Sequence, residues 1–147
     1  MKDILIALKE LTGTYTGQGI NHDNQNFRGD FKVNPIINGN GIEIGFKAVG
    51  DGEEVYHEEK TLITLDENHK HCMWSLNSNA PMMFKFEIRN QSDTEVTFGL
   101  NDPMDKSVFR EEIKIEFLKD RRIGYHYSWG MPGGDFQYRS GLKMAII

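Results

Sequence analysis

LTGTYTGQGI, Leu11 to Ile20, carries glycine at 13, 17 and 19, with Tyr15 between the first two. Its other residues are β-branched, aromatic or short and polar, a composition that suits a strand better than a helix. Gly17 and Gly19 share one parity and so face the same side of a sheet. A strand without side chains at two positions on one face lets another backbone approach, bends sharply, or leaves open space.

Upstream, Ile4, Leu5, Ala7, Leu8 and Leu11 recur at helical spacing, with Lys2, Asp3, Lys9 and Glu10 elsewhere on the wheel. A short amphipathic helix is expected here, covering one end of whatever the strands enclose. Its apolar patch is too short, and lacks the small-residue cleavage site, for a secretory signal.

Downstream the chain alternates. Phe27, Gly29, Phe31 and Val33 oppose Arg28, Asp30 and Lys32, and the Asn38-Gly39-Asn40-Gly41 run is a strong hairpin signal. Ile42, Ile44, Phe46 and Ala48 share the next inward face. Further strands are expected over about Glu53–Leu65 and His69–Ser78, the latter with Cys72, Trp74 and Leu76 inward. Phe84, Phe86 and Ile88 follow, then Val96, Phe98 and Leu100, then Phe109, Ile113, Ile115 and Phe117. Ile123, Tyr125, Tyr127 and Trp129 precede the loop WGMPGGD. The last strand, Phe136 to Ile146, places Phe136, Tyr138, Leu142 and Met144 on one face. About ten strands joined by short turns imply sequential antiparallel neighbours. Closing the sheet on itself hides every apolar face and removes the edges. The expected fold is therefore all-β: one domain over 1–147, an up-and-down antiparallel barrel with a short N-terminal helix. A two-sheet sandwich is the alternative, but it usually needs long crossovers.

The 147 residues are enough for one domain with a real core. A net charge of −5 with scattered basic residues argues against a nucleic-acid surface. No run approaches the ~20 apolar residues of a membrane-spanning helix. The single cysteine, Cys72, excludes an internal disulfide and a cysteine metal cluster, and fits a reducing cytoplasm.

GTYTGQG at 13–19, directly after a short helix, resembles the first-strand Gly-x-Trp-x-Gly-x-Gly pattern of the calycin superfamily, with Tyr15 in the aromatic place. FRGDFKVNPIINGNGIEIGF and EKTLITLDENHKHCMWSLNS resemble bacterial lipocalin-like proteins of uncharacterised family. The resemblance implies a ten-stranded barrel with an internal cavity and, by itself, no activity. Fatty-acid-binding proteins carry a helical pair between the first two strands, whereas only His22 to Asn26 is available here. In nitrobindins a histidine on the closing strand ligates haem iron. DFQYRSGLKMAII has none, so haem is not favoured and no cofactor is expected.

Several residues are candidates for chemistry. His57 and Glu59 share a parity with Thr61 and Ile63; inward, they give a histidine and a carboxylate on the cavity wall, and with Leu62 inward instead they are solvated. Glu111 lies on the parity of Phe109 and Ile113, so regular alternation buries a carboxyl, with His57, Arg139 or a tyrosine as conceivable partners. A bulge or strand end would put it at the rim instead. Tyr125, Tyr127 and Tyr138, with Trp74 and Trp129, either line a pocket or fill the barrel. Tyr15 reads as a plug at a barrel end. His69 and His71 lack a third metal ligand in reach, and no metal site is expected. His126 should point outward, and Cys72 reads as a small buried hydrophobe.

The leading expectation is a small, largely apolar ligand held inside the barrel. Phe31, Phe46, Trp74, Phe84, Phe86, Phe98, Tyr125, Tyr127 and Tyr138 are the expected wall, and Glu111 and His57 the polar handles. The alternatives are an isomerase, cyclase or hydrolase acting through Glu111 or His57, and a filled barrel serving as an interaction module. In the last, the apolar tail Met144–Ile147 would contribute to a homodimer.

Overall fold

The computed structural model describes residues 2–147. One helix, α1 (Ile4–Glu10), precedes ten strands: β1 (Gly13–Ile20), β2 (Asn26–Ile36), β3 (Gly41–Gly50), β4 (Val55–Leu65), β5 (His71–Asn77), β6 (Phe84–Gln91), β7 (Glu95–Leu100), β8 (Arg110–Leu118), β9 (Arg122–Gly130) and β10 (Gln137–Ile146). Each strand pairs antiparallel with the next, and β1 also pairs with β10, so the barrel is closed and has no free edge.

Closure depends on the glycines of β1. A Cβ on Gly17 would lie 2.3 Å from the Lys143 carbonyl oxygen of β10, nearer than any side chain could sit. The β2–β3 hairpin turns over residues 37–40, and Ile37, Asn38 and Gly39 are all left-handed, with φ of 48°, 57° and 78°. Asn and Gly accept that conformation readily; Ile37 is the unusual member and leaves its side chain exposed.

Asp3 caps α1 by accepting hydrogen bonds from the Leu5 and Ile6 amides. Ile4 and Leu8, one turn apart, are buried, and α1 packs against β2 and β3. Tyr15 is fully buried beneath the helix and donates its hydroxyl to the Leu11 carbonyl at 2.7 Å. At this end the interior is solid: Ile42, Ile44, Ile63, Met73, Phe86, Val96, Phe98, Ile113, Ile115, Ile123 and Met144 have almost no exposed surface.

Two strands depart from the expected facing. In β5, Met73 and Ser75 point inward, while Trp74 and Leu76 are exposed outside. Trp74 pairs across to Leu62 on the outer surface, and the Lys85 ammonium lies 5.7 Å from its ring centre. Cys72 shares the outward parity of Trp74, contrary to expectation, yet it is buried. Burial raises its thiol pKa. In β10, Tyr138 pairs with Ser128 and Ser140 with Tyr127, so Arg139 is an extra residue and the parity flips across it. Leu142 and Met144 therefore face inward as expected, but Tyr138 lies outside with its hydroxyl 3.0 Å from His126 Nδ1. His126 faces outward as expected and also meets Glu116. With Met144 in the core, the C-terminal tail presents only Ala145 and Ile147 as exposed apolar residues. His69 falls in a left-handed turn, and β5 begins at His71, which pairs with Asp3 of α1.

Candidate functional site

The barrel is not filled throughout. In the half away from α1 a cavity of about 530 Å³ opens between the β1–β2, β5–β6 and β9–β10 connections. Phe27, Phe46, Ala48, Phe84, Phe109, Tyr127, Trp129 and Leu142 form most of its wall, and His22, Tyr56, Met131 and Pro132 stand around its mouth. His57, Asn77, Asn79 and Glu111 supply polar atoms.

Of the residues anticipated as wall, Phe46, His57, Phe84, Glu111 and Tyr127 reach this cavity. Phe31, Phe86, Phe98 and Tyr125 face inward but are consumed by packing beneath it; Phe31 and Tyr125 stack with centroids 4.9 Å apart. Trp74 and Tyr138 are outside the barrel and contribute nothing to the wall.

Beneath the cavity lies a polar cluster centred on Glu59, which is 4% exposed and does not itself line the space; His57, Tyr127 and Asn79 carry the cluster up to the wall. Tyr125 donates to Glu59 Oε1 at 2.6 Å, Thr61 donates to the same oxygen at 3.2 Å, and the Tyr127 hydroxyl lies 3.3 Å from both carboxylate oxygens. His57 completes the shell. The Asn79 amide donates to His57 Nδ1 at 3.0 Å, which leaves Nε2 to carry the proton and to donate to Glu59 Oε2 at 3.3 Å. A buried carboxylate this well supplied with donors satisfies the demand that burial imposes. Burial first, and the adjacent Glu59 charge second, raise the Tyr125 and Tyr127 phenols well above their usual pKa. Both therefore remain donors at any physiological pH.

Glu111 occupies the opposite situation. β8 carries it inward as the alternation with Ile113 and Ile115 requires, and it lines the cavity. None of the partners anticipated for it engages it. His57 and the two tyrosines serve Glu59, and Arg139 lies 4.2 Å from the Trp129 ring centre and donates to the Trp129 carbonyl at 3.0 Å. Burial, then repulsion from Glu59, pushes the Glu111 carboxyl up to about 8.

Glu59 was legible only as the companion of His57, and its role as the hub was not. Arg110 gave no signal at all. It is fully buried on the outward parity of β8, passes over Gly130, and donates to the Met131 and Gly134 carbonyls at 3.2 and 2.8 Å. A Cβ at Gly130 would meet the guanidinium at 2.2 Å. Arg110 thus fixes the loop that places Met131 and Pro132 at the mouth. Among the described residues no group of three or more His, Cys, Asp or Glu is arranged to hold a metal ion. Nor is any helix of the described residues long and apolar enough to cross a membrane.

No protein-family model matches the chain, and no curated protein sequence matches it. Solved structures do. Rv2717c from M. tuberculosis superposes with a TM-score of 0.75 at 11% identity, over 100% of this chain and 99% of that one. A de novo designed fluorescence-activating β-barrel matches with a TM-score of 0.50 at 14% identity, over the whole of both chains. At such identities the likeness is one of fold alone, which in this chain is a closed, ten-stranded antiparallel barrel.

Proposed function

We propose that this protein binds a small, largely apolar molecule inside the barrel, in the cavity that lies above the Glu59 cluster. The observation that carries this reading is the cavity itself: the half of the barrel under α1 is packed solid, while the other half leaves about 530 Å³ walled by aromatic and aliphatic side chains. Close packing is the ordinary state of a protein interior, so an apolar void of this size with a few convergent polar groups is the usual form of a ligand site. The likeness to a designed barrel described as fluorescence-activating is compatible with it. Kinship with the calycin and bacterial lipocalin-like barrels, and residence in a reducing cytoplasm with Cys72 as a free thiol, belong to the same proposal. Haem stands outside it, because β10 carries no histidine and both ring nitrogens of His57 are engaged.

The test is titration with Nile red, a neutral apolar fluorophore. Saturable, blue-shifted emission is expected. The substitution Ala48→Phe, which projects a ring into the cavity, should weaken binding by about tenfold or more. A linear, unsaturable response, or binding unchanged in A48F that retains its circular dichroism, would refute the proposal.

A second reading, general acid–base turnover of a small molecule, draws on the contrast between Glu59, held by five donor contacts, and Glu111, held by none. An isomerase, cyclase or hydrolase of this kind would show a rate that falls as Glu111 loses its proton near pH 8.

A further inference from the structure

The polar groups of the cavity are unequally provided for. Glu59 and His57 satisfy each other with the help of Tyr125, Tyr127, Thr61 and Asn79. The Glu111 side chain has no hydrogen bond or ion pair with any described residue, although it is half-buried in the cavity wall. The strands beside it place Leu100 and Trp129 opposite, and neither bonds to it. Among titratable groups, Glu59 repels it, and the Tyr125 and Tyr127 phenols feel its charge from β9. His57 lines the same cavity from β4, with β5, β6 and β7 between, and is turned toward Glu59. Arg110, its chain neighbour, points the other way and is spent on loop carbonyls. Arg139 is held by the Trp129 and Asp135 carbonyls. No cation among the described residues answers this carboxyl.

The surrounding surface suits a cation that none of the described residues supplies. Phe84 and Phe109 stand as a pair with centroids 6.3 Å apart, and Tyr127 presents a further ring to the same space; Trp129 also lines it, but its ring already carries the Arg139 guanidinium. Aromatic faces attract a positive charge, and more strongly where water is excluded. An ammonium group between these rings and Glu111 would neutralise the repulsion from Glu59 and give the carboxylate its missing donor. A carboxylate or phosphate ligand would meet the Glu111 carboxyl instead, with Glu59 buried behind it.

We infer that the ligand is an apolar amine, its ammonium docked on Glu111 and its hydrocarbon body lying among Phe46, Phe84, Phe109 and Trp129. The inference rests on the reading that the cavity takes a small apolar molecule, and adds the charge and orientation of that molecule. The proton balance is explicit. In the free protein the Glu111 carboxyl, pushed up to about 8, holds its proton at neutral pH. Docking RNH3+ forms the carboxylate–ammonium pair and releases that proton to solvent. Affinity for the amine therefore rises as pH climbs toward 8, while a ligand that accepts a hydrogen bond from the protonated carboxyl weakens over the same range.

Three molecules of one shape separate the outcomes: naphthylethylamine, naphthylethanol and naphthylacetate, titrated calorimetrically against the full chain at pH 6, 7 and 8. The amine is expected to bind about tenfold tighter than the alcohol at pH 8, with the acetate weakest. Glu111→Gln should bring the amine down to the affinity of the alcohol. Repeating the wild-type titration in buffers of different ionisation enthalpy should show close to one proton released per amine bound at pH 7, a readout independent of how the variant folds. Equal binding of amine and alcohol, preference for the acetate, or an amine preference that survives E111Q overturns the inference and leaves the cavity reading standing. Failure of all three to bind overturns both.

Discussion

At the scale of single residues, two inward-facing glutamates, Glu111 on the cavity wall and Glu59 beneath it, differ because of what surrounds them. Glu59 is the more deeply buried, but phenols, a threonine and a histidine donate to its oxygens. Glu111 has only desolvation and a like charge, which favour the neutral form. This has a consequence for stability. The folded chain holds on Glu111 a proton that the unfolded chain, with an ordinary value of 4.5, gives up between there and about 8. The contribution is complete below the unfolded value and is lost as pH rises through that window, at up to about 1.4 kcal/mol per pH unit. Denaturant unfolding at pH 5 and pH 8 should show the wild type losing stability relative to Glu111→Gln, in which the slope from this site is absent. Parallel pH profiles for the two proteins would rule out the burial of Glu111. The inward facing of His57 and Glu59 was one of two readings open in the sequence, and both parities of β4 carried polar residues. Only the phenols arriving from β9, more than sixty positions away, decide it.

At the scale of elements, alternation served most strands and misled at two. In β5 the apolar parity, Cys72, Trp74 and Leu76, is the outer one. The inner parity includes Ser75 because that strand borders the Glu59–Thr61 island, where the interior is polar. Counting apolar residues assumes an oily inside, and the assumption fails beside a buried polar network. In β10 the flip comes from one extra residue, Arg139, which nothing in the alternating pattern marks. The glycines of β1, by contrast, say what they do. Gly17 admits the β10 backbone and so allows the seam to close. Gly17→Ala should cost about 2 kcal/mol or more, since a Cβ there collides with main chain and not with a side chain that can rotate away. Amide exchange should quicken first along β1 and β10. Faster exchange confined to other strands would contradict this account of closure.

At the scale of the whole molecule, the barrel is divided into a packed half and an open half, and α1 belongs to the packed one. Leu8, with no exposed surface, drives into the end of the barrel beside Ile4. Leu8→Ala should therefore destabilise the fold by about 2–5 kcal/mol, read from denaturant midpoints. Ligand titrations of the folded variant should be unaltered, because the cavity lies at the other end. A parallel loss of ligand affinity would show that the two halves are coupled. The strand count, the order of turns and the apolar faces were enough to derive a closed antiparallel meander, because closure is what lets ten such faces be buried together. They also supplied five of the residues that reach the cavity. What the sequence determined is local: strand periodicity, turn chemistry and a helix with one apolar stripe. Tertiary structure alone decided where space is left over, which carboxylate gains donors and which is left without them. Those outcomes depend on side chains that meet across the barrel from strands distant in sequence.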